Sequence, residues 1–199
     1  MTHTQSILLL KKRSQLDRRR LLLGTGGLLI TAMIGGCEKK VTPKQAVALN
    51  AVPKGFSKKE AKTFTRFAET IVPGSDDAGT LHFVDYQLSQ DPSDCLLMLK
   101  YFQITPPYID FYSSGLAALN TFSNTRFGKD FTELSKSQCT NIVEQIVKGT
   151  AEWDGPPAFL FYMFVRSDAI DMVYGTPEGF EKLDIPYMAH IEPPQAWSL

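Results

Sequence analysis

Three proline-bearing breaks, Pro73-Gly74, Thr105-Pro106-Pro107 and Gly155-Pro156-Pro157, cut this chain into segments in which apolar residues return every three or four positions. Proline lacks a backbone N–H and clashes with the turn before it, so each break ends one helix and starts another. Within a segment, a three-to-four spacing puts the apolar side chains on one face, which must then be buried against a neighbour. The first such stripe, Ala61, Phe64, Phe67, Ala68, Ile71 and Val72, follows Ser57-Lys58-Lys59-Glu60, whose spacing is that of a capping box.

The same logic predicts further helices down the chain. A short one runs from Leu81 through Val84 to Leu88, and Asp91-Pro92 opens a third carrying Leu96, Leu99 and Phe102. Tyr108, Phe111, Tyr112, Gly115, Leu116, Leu119 and Phe122 form a fourth. Ser135-Lys136-Ser137-Gln138 repeats the cap before Cys139, Ile142, Val143, Ile146 and Val147, and Gly149 can end that helix. Ala158 to Val165 has almost no polar face, so it is a central core helix or one whose outer side a partner covers; Phe159 and Phe161 are the candidate contacts there. No period-two run is long enough to build a sheet. The expected fold is therefore all-α, a single-domain helical bundle over 56–199 with an extended C-terminal tail. That tail, with Tyr174-Gly175-Thr176-Pro177, Tyr187, Pro193-Pro194 and Trp197, either packs on its own domain or lies on a partner through its aromatic side chains.

The N-terminus reads differently. Asp17-Arg18-Arg19-Arg20-Leu21-Leu22 fits the twin-arginine export pattern carried by Arg18 and Arg19, with a plain basic leader as the alternative. The uncharged run from Leu21 to Gly36 has about 16 residues, short of the ~20 a membrane span requires. Ile34-Gly35-Gly36-Cys37 resembles a lipobox, in which the bond before Cys37 is cut and the cysteine receives lipid; cleavage nearby, or an uncleaved anchor, is the alternative. The reading is thus a cleaved signal over 1–36, a tether over 37–55 with two prolines and no sustained apolar period, and a periplasmic domain held to the membrane by lipid.

Charge and chemistry narrow the function. The chain has 21 basic and 21 acidic residues, but six basic residues and one acidic residue precede Cys37, leaving about 15 against 20. A mildly acidic body is a poor partner for nucleic acid. After Cys37 only His82 and His190 remain, without metal-ligand spacing, and no haem attachment site, nucleophile elbow or phosphate loop is present. Asp76, Asp77, His82 and Asp85 could form a metal or acid/base cluster, yet Ser75-Asp76-Asp77-Ala78-Gly79 reads more simply as turn and cap residues. Cys95 and Cys139 could pair as a disulfide in an oxidising compartment, or stay as two buried thiols on apolar faces.

Several short motifs recur in a known order. Glu69-Thr70-Ile71-Val72-Pro73-Gly74-Ser75 is followed by Ala78-Gly79, Phe83-Val84-Asp85, Gly115-Leu116-Ala117-Ala118-Leu119, Phe127-Gly128-Lys129-Asp130-Phe131, Leu134-Ser135, Val173-Tyr174-Gly175 and Ile185-Pro186-Tyr187. In these the chain resembles the small subunit of the gluconate 2-dehydrogenase type, the subunit 3 or gamma subunit family. The lipobox cysteine and Thr176-Pro177-Glu178-Gly179 depart from the usual family pattern. The resemblance implies a non-catalytic subunit with no cofactor of its own. Its partners would be an FAD-dependent large subunit of the glucose-methanol-choline type, which oxidises a sugar or sugar acid, and often a multihaem cytochrome bearing haem c. The subunit would help the flavoprotein mature and leave the cytoplasm folded. A stand-alone lipoprotein scaffold is the alternative, and an enzyme built on the Asp76–Asp85 region a third.

Overall fold

The computed structural model describes residues 28–184. Leu28–Val173 forms one compact unit, and the chain from Tyr174 onward belongs to another. Within the first unit a hairpin of β1 (Ile30–Ile34) and β2 (Cys37–Val41) leads into α1 (Pro43–Ala48). There follow α2 (Lys58–Ile71), α3 (Ser75–Ala78), α4 (Thr80–Leu88), a 3-10 turn at Met98–Tyr101, α5 (Ile109–Phe127), a second 3-10 turn at Phe131–Glu133, α6 (Lys136–Val147) and α7 (Ala158–Tyr174). The architecture is mostly helical, as expected, with one small antiparallel sheet that the sequence reading did not contain.

Local chemistry accounts for the helix boundaries. Ser57 Oγ accepts from the Glu60 N–H at 3.3 Å while the Ser57 N–H donates to Glu60 Oε2 at 2.8 Å. Ser135 and Gln138 repeat this reciprocal cap at the start of α6. Each cap satisfies two backbone groups that the first helical turn would otherwise leave open. Thr42 and Gln45 make a third such cap on α1, inside the stretch expected to be a tether. That stretch instead carries β2 and α1, because Val41 and Ala46 bury themselves against β1.

The core is a stack of rings. Phe67 of α2 stacks on Phe161 of α7 with centroids 5.4 Å apart and meets Phe131 edge-on at 5.6 Å. Phe64 lies against Phe56 and Tyr112, and Phe111 bridges to Phe164. Such offset and edge contacts favour ring pairs beyond their buried area. Gly115 of α5 lets this happen: a Cβ there would overlap the Phe161 ring.

Two carboxylates fix the loops. Glu69, near the end of α2, accepts from the Gly74 N–H at 3.0 Å and the Asp76 N–H at 3.1 Å, closing the Pro73-Gly74 turn. Asp85 of α4 accepts from the N–H groups of Lys54, Gly55 and Phe56 at 2.8, 2.8 and 3.2 Å. Three buried or half-buried donors thus depend on one side chain. Asp85→Ala is expected to cost about 3 kcal/mol, since orphaned donors lose their full desolvation compensation; a urea midpoint equal to that of the parent would refute the clamp.

Where the sequence predicted a third helix from Pro92, the chain instead makes a turn over 92–94, runs extended over 95–97 and enters the 3-10 turn at Met98–Tyr101. Asp91 Oδ1 caps the Ser93 N–H at 2.8 Å in a local turn, and Gln87 Oε1 of α4 takes the Leu96 N–H at 2.9 Å. Those side-chain bonds satisfy backbone groups that a helix would have used. Burial alternates accordingly, with Cys95, Leu97 and Leu99 inside and Leu96 and Met98 outside.

In the second unit, α8 (Pro177–Lys182) stands where an extended tail was expected. Thr176 Oγ1 accepts from the Gly179 N–H at 3.1 Å, and Pro177 occupies the first turn, where a missing N–H costs nothing. Tyr187 and Trp197 lie outside the described residues.

Candidate partner-binding surface

The link after α4, through the 3-10 turn to Phe102, presents the densest run of uncovered apolar side chains among the described residues. Leu96 is 64% exposed, Met98 37%, Tyr101 75% and Phe102 45%. Four large apolar groups within seven residues are unusual on a face meant only for water, and such clusters mark contact sites. The backing is rigid. Leu97 and Leu99 are buried below them, Phe102 meets Phe164 of α7 edge-on at 5.2 Å, and Lys100 Nζ donates to the Ser93 carbonyl at 2.5 Å.

Beneath this ridge lies a polar core site joining α5 to α7. The Tyr112 hydroxyl donates to Asp168 Oδ2 at 2.6 Å, and both side chains are buried. Burial pushes the Asp168 carboxyl up to about 7, against a smaller downward pull from the Tyr112 hydrogen bond. Burial and the neighbouring Asp168 hold the Tyr112 phenol well above its ordinary range. The Cys95 thiol is raised by burial as well, with Asp168 adding to the effect. The cluster can hold a proton near neutrality, and its sealed position makes it a cross-link between helices.

A concave feature lies between the start of α2 and α5, with a volume of about 480 Å³ and Glu60, Ser113, Asn120, Asn124 and Asp130 in its lining. Its polar groups already serve one another. Lys59 bridges to Asp130 at 2.6 Å, Asn120 donates to Thr63 Oγ1 at 3.2 Å and accepts from the Phe131 N–H at 3.1 Å. Burial acts upward on Glu60, yet hydrogen bonds from Ser113 and Ser57 outweigh it and lower its pKa. The groove is a polar seam that closes the bundle.

The residues singled out from sequence separate clearly. Phe159, at the start of α7, is 53% exposed and lies 6.0 Å from the Tyr162 ring, so it is available at the surface. Phe161 is fully buried in the ring stack. Tyr174 is half-buried at the end of α7. Arg18 and Arg19 lie outside the described residues, and Cys37 is exposed at the start of β2.

Of the two alternatives for Cys95 and Cys139, the structure holds two buried free thiols. Cys139 on α6 points its Sγ at the Phe131 and Leu134 carbonyls, 3.7 and 4.0 Å away, whereas Cys95 sits by the Asp168 site. Each thiol behaves as a small buried apolar group in its own environment.

The Asp76–Asp85 region forms no metal centre, and among the described residues no three His, Cys, Asp or Glu side chains gather as one. Asp85 is committed to the backbone of residues 54–56. His82 is lowered by burial, which favours the neutral ring, and Asp76 is raised by burial and by Glu69 and Asp77.

Sequence reasoning missed Leu96, Met98 and Tyr101 as surface residues. Cys95-Leu96-Leu97-Met98-Leu99 is apolar throughout, so no periodicity in the sequence marks which of these side chains turn outward.

Neither a curated protein nor a solved structure matches the chain. The motifs that carry the family resemblance do packing work here: Glu69 closes a turn, Asp85 clamps a loop, Gly115 admits Phe161 and Phe131 fills the core. The model of the family described as gluconate 2-dehydrogenase subunit 3 matches residues 58–190, which is most of the chain, and the protein belongs to that family.

Proposed function

We propose that this chain is a non-catalytic assembly subunit of an FAD-dependent sugar or sugar-acid dehydrogenase. The observation that carries this reading is the exposed ridge of Leu96, Met98, Tyr101 and Phe102 on a rigid backing, in a protein whose family is described as a dehydrogenase subunit. The large flavoprotein subunit is the partner assigned to that ridge, with Phe159 as a second contact. FAD belongs to that subunit, and haem c to a cytochrome that takes its electrons. Burying a Tyr and a Phe with two aliphatic side chains suits the centre of an interface, where aromatic anchors dominate the binding energy.

In this reading Arg18 and Arg19 direct export of the folded pair, and lipid on Cys37 holds the complex at the membrane on the periplasmic side. A cofactor-loaded enzyme must fold before it crosses, so an escort with its own leader is a physical solution. No described helix is long and apolar enough to cross a membrane. Attachment through lipid on one cysteine would supply what the helices do not.

Co-expression of the chain with its neighbouring flavoprotein tests the reading. Leu96→Asp combined with Tyr101→Asp alters two exposed side chains, so the thermal melt should stay within a few degrees of the parent. Two hot-spot losses of about 2 kcal/mol each would reduce co-purification of the FAD-bearing subunit by roughly a hundredfold or more. Undiminished co-purification and full flavin content would defeat the ridge as the interface. A chain that never co-isolates with a flavoprotein, in parent or variant, would favour the stand-alone scaffold.

A further inference from the structure

The hairpin at the start of the described chain uses residues that the export reading places at the end of the signal. Ile30, Ala32 and Ile34 of β1 are buried and share a cluster with Val41 and Ala46, with Ala51 and Tyr86 packed against it. Both edges of β1 are engaged. On one side it pairs with β2 from Ile30 opposite Val41 to Ile34 opposite Cys37; on the other, the Val52 N–H donates to the Met33 carbonyl at 2.9 Å. Val52 is itself held in place, because Asp85 fixes Lys54 and Gly55 just beyond it and Lys54 Nζ pairs with Glu38 of β2 at 2.5 Å.

The link between the strands is the two-residue turn Gly35-Gly36, with φ of 59° and 80°. Two successive positive φ values make the tight turn that matches strand twist, and only glycine adopts them without strain. The bond between Gly36 and Cys37 therefore lies at the tip of a closed hairpin. A peptidase that cuts before a lipid-bearing cysteine needs the same residues extended in its own site. A strand cannot be paired on both edges within the domain and threaded through a peptidase or bilayer at once.

We propose that docking of Ile30–Ile34 between β2 and Val52 is a latch that withholds the Gly36–Cys37 bond from processing until the strand is withdrawn from the domain. This rests on the reading of Cys37 as a lipid site. The chemistry withheld has two steps. The Cys37 thiol gives up its proton as sulfur bonds to the glyceryl carbon of an anionic phospholipid, and the C–O bond to the headgroup phosphate breaks with its electron pair leaving on phosphate. Water then hydrolyses the Gly36–Cys37 amide to a Gly36 carboxylate and a free Cys37 amine. Withdrawal of β1 also uncovers Val41, Ala46 and Tyr86, so a folded body with its strand docked is distinguishable from one that has released it.

The test uses the full-length chain with membrane vesicles containing phosphatidylglycerol and the lipidation and signal-peptide-cleaving enzymes, and reads lipid incorporation and the shift to the shorter form. Ala46→Glu leaves residues 1–37 unaltered but places a charge under β1; it should raise the processing rate about tenfold or more by opening the latch. Thr31→Cys with Lys40→Cys joins a cross-strand pair on the outer face of the hairpin, without touching the core. Oxidised, that variant should resist processing; reduced, it should regain the parent rate. Equal rates for the parent, Ala46→Glu and the oxidised double variant would overturn the latch while leaving Cys37 as a lipid site. Absence of lipid on every form, including Ala46→Glu and the reduced double variant, would overturn both.

Discussion

Asp168→Asn is expected to flatten the pH dependence of stability between about pH 4 and pH 7. In the folded chain the Asp168 carboxyl is pushed up to about 7 from an ordinary value of 3.8, chiefly by burial. Below the lower value both folded and unfolded states hold the proton, and the folded state has its full stability. As pH rises, the unfolded chain releases its proton first while the folded one keeps it, so stability falls until the folded carboxyl also ionises near pH 7. At roughly 1.4 kcal/mol per pH unit, the loss amounts to about 4 kcal/mol across that window.

Asn has the same shape and can still accept from the Tyr112 hydroxyl, but it cannot ionise, so this contribution disappears. His82, whose pKa is lowered by burial, acts in the opposite sense over part of the same range. The difference between the two proteins is therefore the clean readout. Urea midpoints for parent and variant at several pH values between 4 and 8 should converge or cross as pH rises. Parallel curves would show that Asp168 ionises in the folded state as it does in water.

Gly79→Ala is expected to destabilise the domain by about 3 kcal/mol or more, and to lower Tm by on the order of 10 °C. Gly79 joins α3 to α4 with φ at 81°, a conformation that L-residues adopt at a cost. A Cβ there would also overlap the Pro43 carbonyl at the start of α1. The obstacle is backbone, not the tip of a flexible side chain, so α1 would have to move from the hairpin side of the domain. A melt within two degrees of the parent would mean that α1 yields freely, and that its packing contributes little.

The helical skeleton was legible because its signals are local. Ser57 with Glu60 and Ser135 with Gln138 start helices wherever they stand, since the groups that satisfy one another are three residues apart. The stripe from Ala61 to Val72 and the short helix to Leu88 followed from periodicity, and the start of α7 from the apolar run after Gly155-Pro156-Pro157. The candidate surface was legible only in part. Phe159 was anticipated, but Phe161, two residues on, is core, because Gly115 leaves a space that its ring fills. On a helix with no polar face, periodicity cannot tell which apolar side turns inward.

Other features turned on distant partners. Ile30-Thr31-Ala32-Met33-Ile34 has one polar residue and no period-two pattern, and it lies within an uncharged run that suits an export signal; its strand character depends on β2, Val52 and Tyr86. Cys95 to Leu97 became extended because Gln87, nine residues before Leu96, took the Leu96 N–H. The sequence by itself determined where α2 and α6 start, where α4 and α5 lie, and which family the motifs resemble, because caps, prolines and apolar spacing act within a turn or two of chain. Tertiary structure alone decided the hairpin, the separation of Cys95 from Cys139, the Tyr112–Asp168 cross-link and the apolar ridge, because each depends on which side chains meet across long stretches of sequence.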